Sequence, residues 1–270
     1  MTAPFVLLVL AICAVWLPWP AWALLYASAV AAALAQGVLA WPGVAALVVL
    51  LGLAAWAARA HGTTAWLARA ALLVWCAALV LHAVPGFHNT VAIDAVRFTP
   101  DAPPFTQYLN FDKGSVGLVL LALLAPRLRR GDAFGRLAST TAVAWVLTSG
   151  AVLGLALAIG LVRPEFKWPA QAALFLTVNL FLTCVAEQAL FRVLVQDALR
   201  AWCMPGVAVV LSAGLFGLAH AGGGVWMVLL ASLAGLGHAI AYARTQRIEV
   251  PILVHLGLND THFLFFTYAA

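Results

Sequence analysis

One carboxylate stands inside a long apolar run of the sequence. Glu187 lies within LFLTVNLFLTCVAEQALFRVLV, whereas the other two glutamates, Glu165 and Glu249, lie in connections between apolar segments. A charged side chain at membrane depth is costly and is by default a sign of function. Arg192 follows Glu187 by five residues and points away from it around an α-helix, which favours a bond from Arg192 to Gln188 or to another helix. Glu187 is therefore a candidate proton-transfer group.

Two further pairs, each with members four positions apart, follow in the C-terminal region. Phe216 and His220 lie in LFGLAHAGGG, and His255 and Asn259 lie in VHLGLND. Residues four apart share one face of an α-helix, so each pair is predicted to point into the same space.

Counting along the chain places these groups at similar depths. If the turn after the Glu187 helix is centred near Cys203, Glu187 lies 16 residues before it and His220 lies 17 residues after it. Because an α-helix rises by about 1.5 Å per residue, the two side chains reach nearly equal depth on antiparallel neighbours. We predict that Glu187, His220, His255 and Asn259 converge in a cavity in the cytoplasmic half of a membrane.

A metal site is a competing interpretation of three of these residues. Two histidines and one carboxylate suit a catalytic zinc ion with one open position, and the ligands would be Glu187, His220 and His255. The sequence contains no HExxH motif, and the three side chains come from three different helices. A metal-free site is the favoured prediction.

The composition dictates the environment of these residues. The chain has 270 residues, 65% of them hydrophobic and 9% charged, with a mean hydropathy of +1.04. A soluble domain would carry about 25% charged residues, so a water-soluble globule, a disordered chain and a nucleic-acid-binding module are excluded. At about 20 residues per span, the sequence predicts an all-α, polytopic transmembrane bundle of about 8–10 helices.

Charged residues, prolines and glycines divide the chain into apolar segments. These run over 3–17, 22–40, 43–58, 65–84, 115–126, 138–162, 170–195, 206–221, 225–243 and 250–268. The first run resembles a signal peptide but lacks a positive start, so it is predicted to be a retained span. The four cysteines are interpreted as packing residues, because they show no metal or redox spacing.

Clusters of arginine predict the orientation. Cytoplasmic loops carry an excess of Lys and Arg, and two connections here are arginine-rich: Arg127, Arg129, Arg130 and Arg136 in one, Arg244 and Arg247 in the other. Both are predicted to be cytoplasmic, with four spans between them. The longest connection, 85–114, is then external, and a solvated connection is favoured for it over a lid.

Together, the three motifs resemble a known family of membrane proteases. Glu187-Gln188-x-x-x-Arg192, Phe216-x-x-x-His220 and His255-x-x-x-Asn259 occur in this order. They are similar to the EExxxR, FxxxH and HxxxN motifs of the CPBP family, the CAAX prenyl protease and bacteriocin-processing intramembrane endopeptidases also called Abi proteins. The resemblance covers 166–270 and predicts a protease domain there, preceded by an N-terminal transmembrane region over 1–165.

The resemblance implies a role for each motif residue. Glu187 and His220 would activate a water molecule for attack on a peptide carbonyl, and His255 with Asn259 would stabilise the oxyanion. Arg192, Phe216 and Gln188 would support them, although Gln188 stands where the family has a second glutamate. We expect activity to survive this change.

The resemblance also sets expectations about partners and surroundings. It implies a membrane-anchored protein or peptide substrate, contact with membrane lipid, no nucleic acid, and no cofactor unless zinc is used. A bacterial inner membrane is the expected location. His262, three residues after Asn259, is a reserve candidate that lines the cavity or lies near the outer interface.

Two other classes of function compete with a protease. A proton-coupled transporter could use Glu187 as a proton site and His220 as a relay, but its usual internal repeat is not visible in this sequence. A non-catalytic scaffold or immunity protein could bind a partner through a degenerate site, and Gln188 is the feature that favours it. His82 and His238 are interpreted as histidines that hydrogen-bond between packed helices.

Overall fold

The protein is a helical bundle with one short β-hairpin, seen here in a computed structural model that describes residues 1–18, 20–99, 102–129 and 131–268. The model is 72% helical, which confirms the all-α polytopic class. Arg130, one of the arginines used to predict orientation, lies outside the described residues.

Ten helices are named here in chain order. They are α1 Ala3–Cys13, α2 Ala21–Ala35, α3 Trp41–Arg59, α4 Gly62–Val80, α5 Phe111–Leu123, α6 Phe134–Ala158, α7 Ala172–Arg200, α8 Pro205–Leu218, α9 Gly224–Thr245 and α10 Glu249–Phe265. A short 3-10 turn, Ala14–Trp16, extends α1, and another, Ala221–Gly223, precedes α9. By length and apolar composition, five helices in the described part of the chain can cross a membrane: α3, α4, α6, α7 and α9 with its preceding turn.

The connection 85–114 has more structure than a solvated loop. It contains two paired strands, β1 Thr90–Val96 and β2 Phe105–Leu109, and α5 already begins at Phe111. Apolar residues alternate with polar ones only weakly in this stretch, so the hairpin was not predicted. Asp112, at the start of α5, is buried with 1% of its side chain exposed.

The contacts within the chain divide it into two compact units. The first unit comprises Met1–Ala92, Gln107–Ala125 and Leu180–Leu190, and the second comprises Ile93–Thr106, Pro126–Asn179 and Phe191–Ala270. The first unit contains α1 to α5 and a central part of α7. The second contains α6, α8, α9, α10 and both ends of α7. The predicted division of the sequence near residue 165 stays a prediction.

Two connections predicted to share one side of the membrane are joined in the second unit. Arg247 Nε and Nη2 donate to the two carboxylate oxygens of Asp132, each at 2.7 Å. Nearby, the Leu128 amide donates to Glu249 Oε1 at 2.8 Å. The connections before α6 and before α10 therefore lie on the same side, as an even number of intervening spans requires.

Helix α7 departs from regular α-helical geometry in two places. The stretches Asn179–Cys184 and Ala189–Gln196 are π-helical, and Val185–Gln188 between them is α-helical. In a π-helix the hydrogen bonds run to the fifth residue instead of the fourth, and such turns are frequent at functional sites. The bond predicted from Arg192 to Gln188 rested on α-helical spacing and stays a prediction, because the two residues belong to different units.

Candidate active site

The seven predicted site residues are distributed over the two units. Glu187 and Gln188 belong to the first unit, and the other five belong to the second: Arg192, Phe216, His220, His255 and Asn259. The convergence of Glu187 with the histidines stays a prediction. The geometry of each unit is described separately.

Phe216 is the centre of an aromatic and histidine cluster in the second unit. Its ring centroid lies 4.8 Å from that of His220 and 5.8 Å from that of His255. Phe216 is 2% exposed, so its ring lies in the interior of the second unit. The Phe216 ring thus contacts histidines from two of the three sequence motifs, although Phe216 was expected only to support the site.

His220 does not lie on the helix that carries Phe216. Helix α8 ends at Leu218, and His220 follows in the turn that leads into three consecutive glycines, Gly222 to Gly224. Its Nδ1 donates to the Phe216 carbonyl oxygen at 2.8 Å. The prediction that the pair shares a helix face was wrong, because glycine disfavours continuation of the helix, although the two rings do contact.

The Phe216 bond gives His220 the tautomer of a general base. A neutral imidazole that donates from Nδ1 carries its lone pair on Nε2. His220 is only partly buried, so Nε2 can accept a proton from a water molecule or a substrate group. This side chain has the chemistry required to activate a nucleophilic water.

A third histidine, His238 on α9, completes the cluster. Its ring centroid lies 4.7 Å from that of His255 and 5.8 Å from that of Phe216. His238 is fully buried, and His255 is 5% exposed. The signal for His238 was its position in GLGHAI, where one histidine interrupts an apolar helix, but the interpretation as a helix-packing residue left it outside the site.

Asn259 is held by an asparagine that the sequence analysis did not select. Asn259 Nδ2 donates to Asn179 Oδ1 at 3.0 Å, and Asn179 is buried at the start of the first π-helical stretch of α7. An asparagine amide has two N–H donors, so one of them stays available after this bond. The signal for Asn179 was a polar residue in the apolar stretch LFLTVNLFLTC.

Arg192 is a fully buried cation with partners on two helices. Its Nη1 donates to Gln196 Oε1 and to Ser212 Oγ, each at 3.0 Å. Its Cζ lies 5.8 Å from the centre of the Phe216 ring. The expectation that Arg192 bonds to another helix is confirmed by Ser212, which lies on α8. Arg192 therefore ties α7 to the helix that carries Phe216.

Glu187 has a charged partner in the first unit. Lys113 Nζ on α5 donates to Glu187 Oε1 at 2.7 Å, and the two side chains are 15% and 14% exposed. Lys113 is separated from Glu187 by 74 residues, so no local pattern in the sequence points to this pair. Next to Glu187, Gln188 is fully buried.

The two remaining histidine predictions have different outcomes. His82 Nδ1 lies 2.6 Å from Asp112 Oδ2 in the first unit, which agrees with a hydrogen-bonding role between segments. His262 Nε2 donates to the Thr267 carbonyl oxygen at 3.2 Å, and its ring lies 4.8 Å from that of Tyr268. His262 is thus bound to the segment that follows α10.

A metal ion would need several nitrogen, oxygen or sulfur donors close together. Among the described residues, no group of three or more His, Cys, Asp or Glu side chains is arranged to hold a metal ion. The four cysteines are free thiols.

Comparison with known proteins identifies the C-terminal region. Residues 169–260 match the family described as "Type II CAAX prenyl endopeptidase Rce1-like", and this range contains all seven predicted site residues. No curated protein and no solved structure matches the chain. Residues 169–260 are thus similar to the Rce1-like family of type II CAAX prenyl endopeptidases, and the apolar helices make the chain an integral membrane protein.

Proposed function

We propose that this protein is an intramembrane endopeptidase that hydrolyses a peptide bond of a lipidated or membrane-anchored protein or peptide precursor. The similarity of residues 169–260 to the Rce1-like family supports a CAAX-type protease. The observation that carries the proposal for this chain is the His220 imidazole, whose Nδ1–H is bound to the Phe216 carbonyl oxygen. The unprotonated Nε2 is the group that peptide hydrolysis needs to take a proton from water.

The proposed reaction begins with a water molecule activated by Glu187 and His220. One of the two accepts a proton from the water as its oxygen bonds to the carbonyl carbon of the scissile peptide. The same proton then passes to the departing nitrogen when the C–N bond breaks, so the products are an amine and a carboxylic acid, which loses its remaining proton to solvent. His220 suits this exchange because its Nδ1–H is bound to the Phe216 carbonyl oxygen, which directs the Nε2 lone pair to the water.

Asn259 and His255 are proposed to stabilise the negative oxygen of the tetrahedral intermediate. The bond to Asn179 fixes the Asn259 amide and leaves one Nδ2 hydrogen for this oxygen. Removing one such donor costs a hydrolase roughly 10²–10³ in kcat. His255 is held in a buried place by Phe216 and His238, which suits a donor that must not reorganise during the reaction.

The reaction is proposed to need no metal ion. The competing zinc site would use Glu187, His220 and His255, with an open position for water. Incubating the purified protein with a tight zinc chelator separates the two mechanisms. Full retention of cleavage supports the metal-free reaction, whereas loss that is reversed by added zinc contradicts it.

A comparison of cell membranes tests the proposed activity and reveals the substrate. The membrane proteome and peptidome of cells that carry Glu187→Gln are compared with those of cells that carry the wild-type protein. Glu165→Gln is the matched control, because Glu165 lies in the connection after α6. A cleavage product that is absent only with Glu187→Gln supports the proposal, and identical peptide sets in all three contradict it.

A further inference from the structure

A lysine from a different helix forms an ion pair with Glu187 in the first unit. Lys113 Nζ and Glu187 Oε1 are 2.7 Å apart, and both side chains are about six-sevenths buried, with 15% and 14% exposed. A carboxylate shielded from water in this way requires a compensating charge. The geometry of this pair therefore determines where Glu187 Oε1 lies.

Close packing of two helices places the lysine beside the glutamate. Lys113 and Gly117 lie one turn apart on α5 and share a face. A Cβ on Gly117 would lie 3.0 Å from the backbone N and Cα of Ala186, the residue before Glu187. The two backbones thus approach as closely as a glycine allows, which fixes the register of α5 against the central part of α7.

A polar cluster holds the start of α5, one residue before Lys113. Asp112 is 1% exposed and accepts hydrogen bonds from His82 Nδ1 at 2.6 Å and from Asn89 Nδ2 at 3.2 Å. Asp112 Oδ1 also accepts from the Lys113 amide at 2.8 Å, and Asn89 Oδ1 accepts from the Phe111 amide at 3.0 Å. The first turn of α5 is therefore bound to the segment that follows α4.

His82 reaches Asp112 from an unfavourable backbone conformation. It has a φ of +56°, in the left-handed region that favours glycine. It ends α4 in a Schellman arrangement, in which its amide donates to Leu79 O at 3.0 Å and the Ala83 amide donates to Ala78 O at 2.9 Å. Glycine is the usual residue at such a position and would adopt this conformation without strain. The hydrogen bond from the His82 imidazole to Asp112 offsets the strain that His82 has there.

We propose that Lys113 is a positioning residue for the Glu187 carboxylate, and that the cluster of His82, Asn89 and Asp112 sets the place of Lys113. This inference rests on the proposed protease function. It extends the functional machinery into the region 85–114, which the three sequence motifs do not reach. Lys113 acts through Glu187, because its ammonium group bonds one carboxylate oxygen and so orients the carboxylate.

The test compares variants of the full-length protein in lipid nanodiscs, with a farnesylated peptide ending in a CAAX sequence as the probe. Lys113→Met is expected to lower kcat at least 10-fold with KM changed less than 3-fold, and Lys113→Arg to restore kcat to within 3-fold of wild type. A merely structural role would not give this division between kcat and KM or the rescue by arginine. His82→Gly keeps the backbone turn and removes the imidazole, and a 3- to 10-fold lower kcat is expected.

Lys167→Met is the matched control, because Lys113 and Lys167 are the only lysines in the chain. Its Nζ donates to the Phe266 carbonyl oxygen in the second unit, and wild-type kcat is expected. If Glu187→Gln abolishes cleavage while Lys113→Met retains it, the inference is overturned and the protease stands. If the wild-type protein does not cleave the probe and no peptide depends on Glu187 in cells, both are overturned.

Discussion

Asn259 Nδ2 donates a hydrogen bond of 3.0 Å to Asn179 Oδ1. The bond joins α10 to the first π-helical stretch of α7. It also orients the Asn259 amide so that its nitrogen faces Asn179. The proposed oxyanion donor is therefore oriented before substrate arrives. Preorganised donors are effective because they need not rotate as charge develops on the substrate.

Removing the partner of Asn259 should lower the catalytic rate without removing the donor. Asn179→Leu is expected to reduce kcat about 10-fold, and Asn259→Ala about 100-fold or more. Cleavage of the farnesylated CAAX peptide by purified variants measures both values. The control is Thr177→Val on the same helix, whose hydroxyl bonds only within α7, to the Ala173 carbonyl oxygen. Equal rates for Asn179→Leu and Thr177→Val would contradict the orienting role.

Replacing His238 should affect the reaction through His255. The His238 ring lies 4.7 Å from the His255 ring and is fully buried, so Phe in its place keeps the volume but alters the polar contact. His238→Phe is expected to lower kcat roughly 10- to 100-fold, because small displacements of a catalytic group are costly. Exposed His61, changed to Phe, is the control. Wild-type kcat in His238→Phe would assign this histidine to packing alone.

Ser212 should contribute to stability through the buried Arg192. Ser212 Oγ accepts from Arg192 Nη1 at 3.0 Å and donates to the Phe191 carbonyl oxygen at 3.2 Å. Ser212→Ala leaves a buried cationic donor with one acceptor fewer, and a loss of about 1–2 kcal/mol in the free energy of unfolding is expected. Denaturant titration in detergent micelles measures it. Ser28→Ala, an exposed hydroxyl on α2, should change this free energy little.

The Asp132–Arg247 pair outside the spans should give a pH-dependent stability. Bonds from Arg247 and from the Arg129 amide hold the pKa of Asp132 at about 2, below its usual 3.8. The carboxylate therefore stabilises the fold above the unfolded pKa near 3.8, and this contribution is lost as the pH falls through about 2.

Thermal unfolding between pH 5 and pH 2 tests this pair. Wild type should exceed Asp132→Asn in melting temperature at the upper end of this range, and the difference should vanish near the lower end. Asp94→Asn on β1, an exposed carboxylate, is the control and should follow wild type throughout. A difference between wild type and Asp132→Asn that does not change with pH would contradict the assignment.

The sequence was sufficient for the fold class and for the similarity to the protease family over residues 169–260, because both depend on local features. Apolar runs long enough to cross a membrane predict spanning helices without any knowledge of how the helices pack. The motif Phe216-x-x-x-His220 is likewise visible without a structure. The turn near Cys203 was predicted correctly, since α7 ends at Arg200 and α8 begins at Pro205.

The missed features depend on contacts between distant parts of the chain. Lys113 meets Glu187 across 74 residues, and Asn179 meets Asn259 across 80. The π-helical stretches of α7 also change side-chain directions that a count of residues assumes to be α-helical. The position of His220 was also missed, because the glycines after it disfavour a helix and His220 therefore lies in a turn.

The most direct test of the central claim is the appearance of a new peptide end. The purified full-length protein in nanodiscs is mixed with the farnesylated CAAX peptide, and mass spectrometry follows the two products over time. We predict cleavage at one peptide bond by the wild type and by Glu165→Gln, and none above background by Glu187→Gln or His220→Ala. Cleavage at the wild-type rate by both Glu187→Gln and His220→Ala would contradict the account.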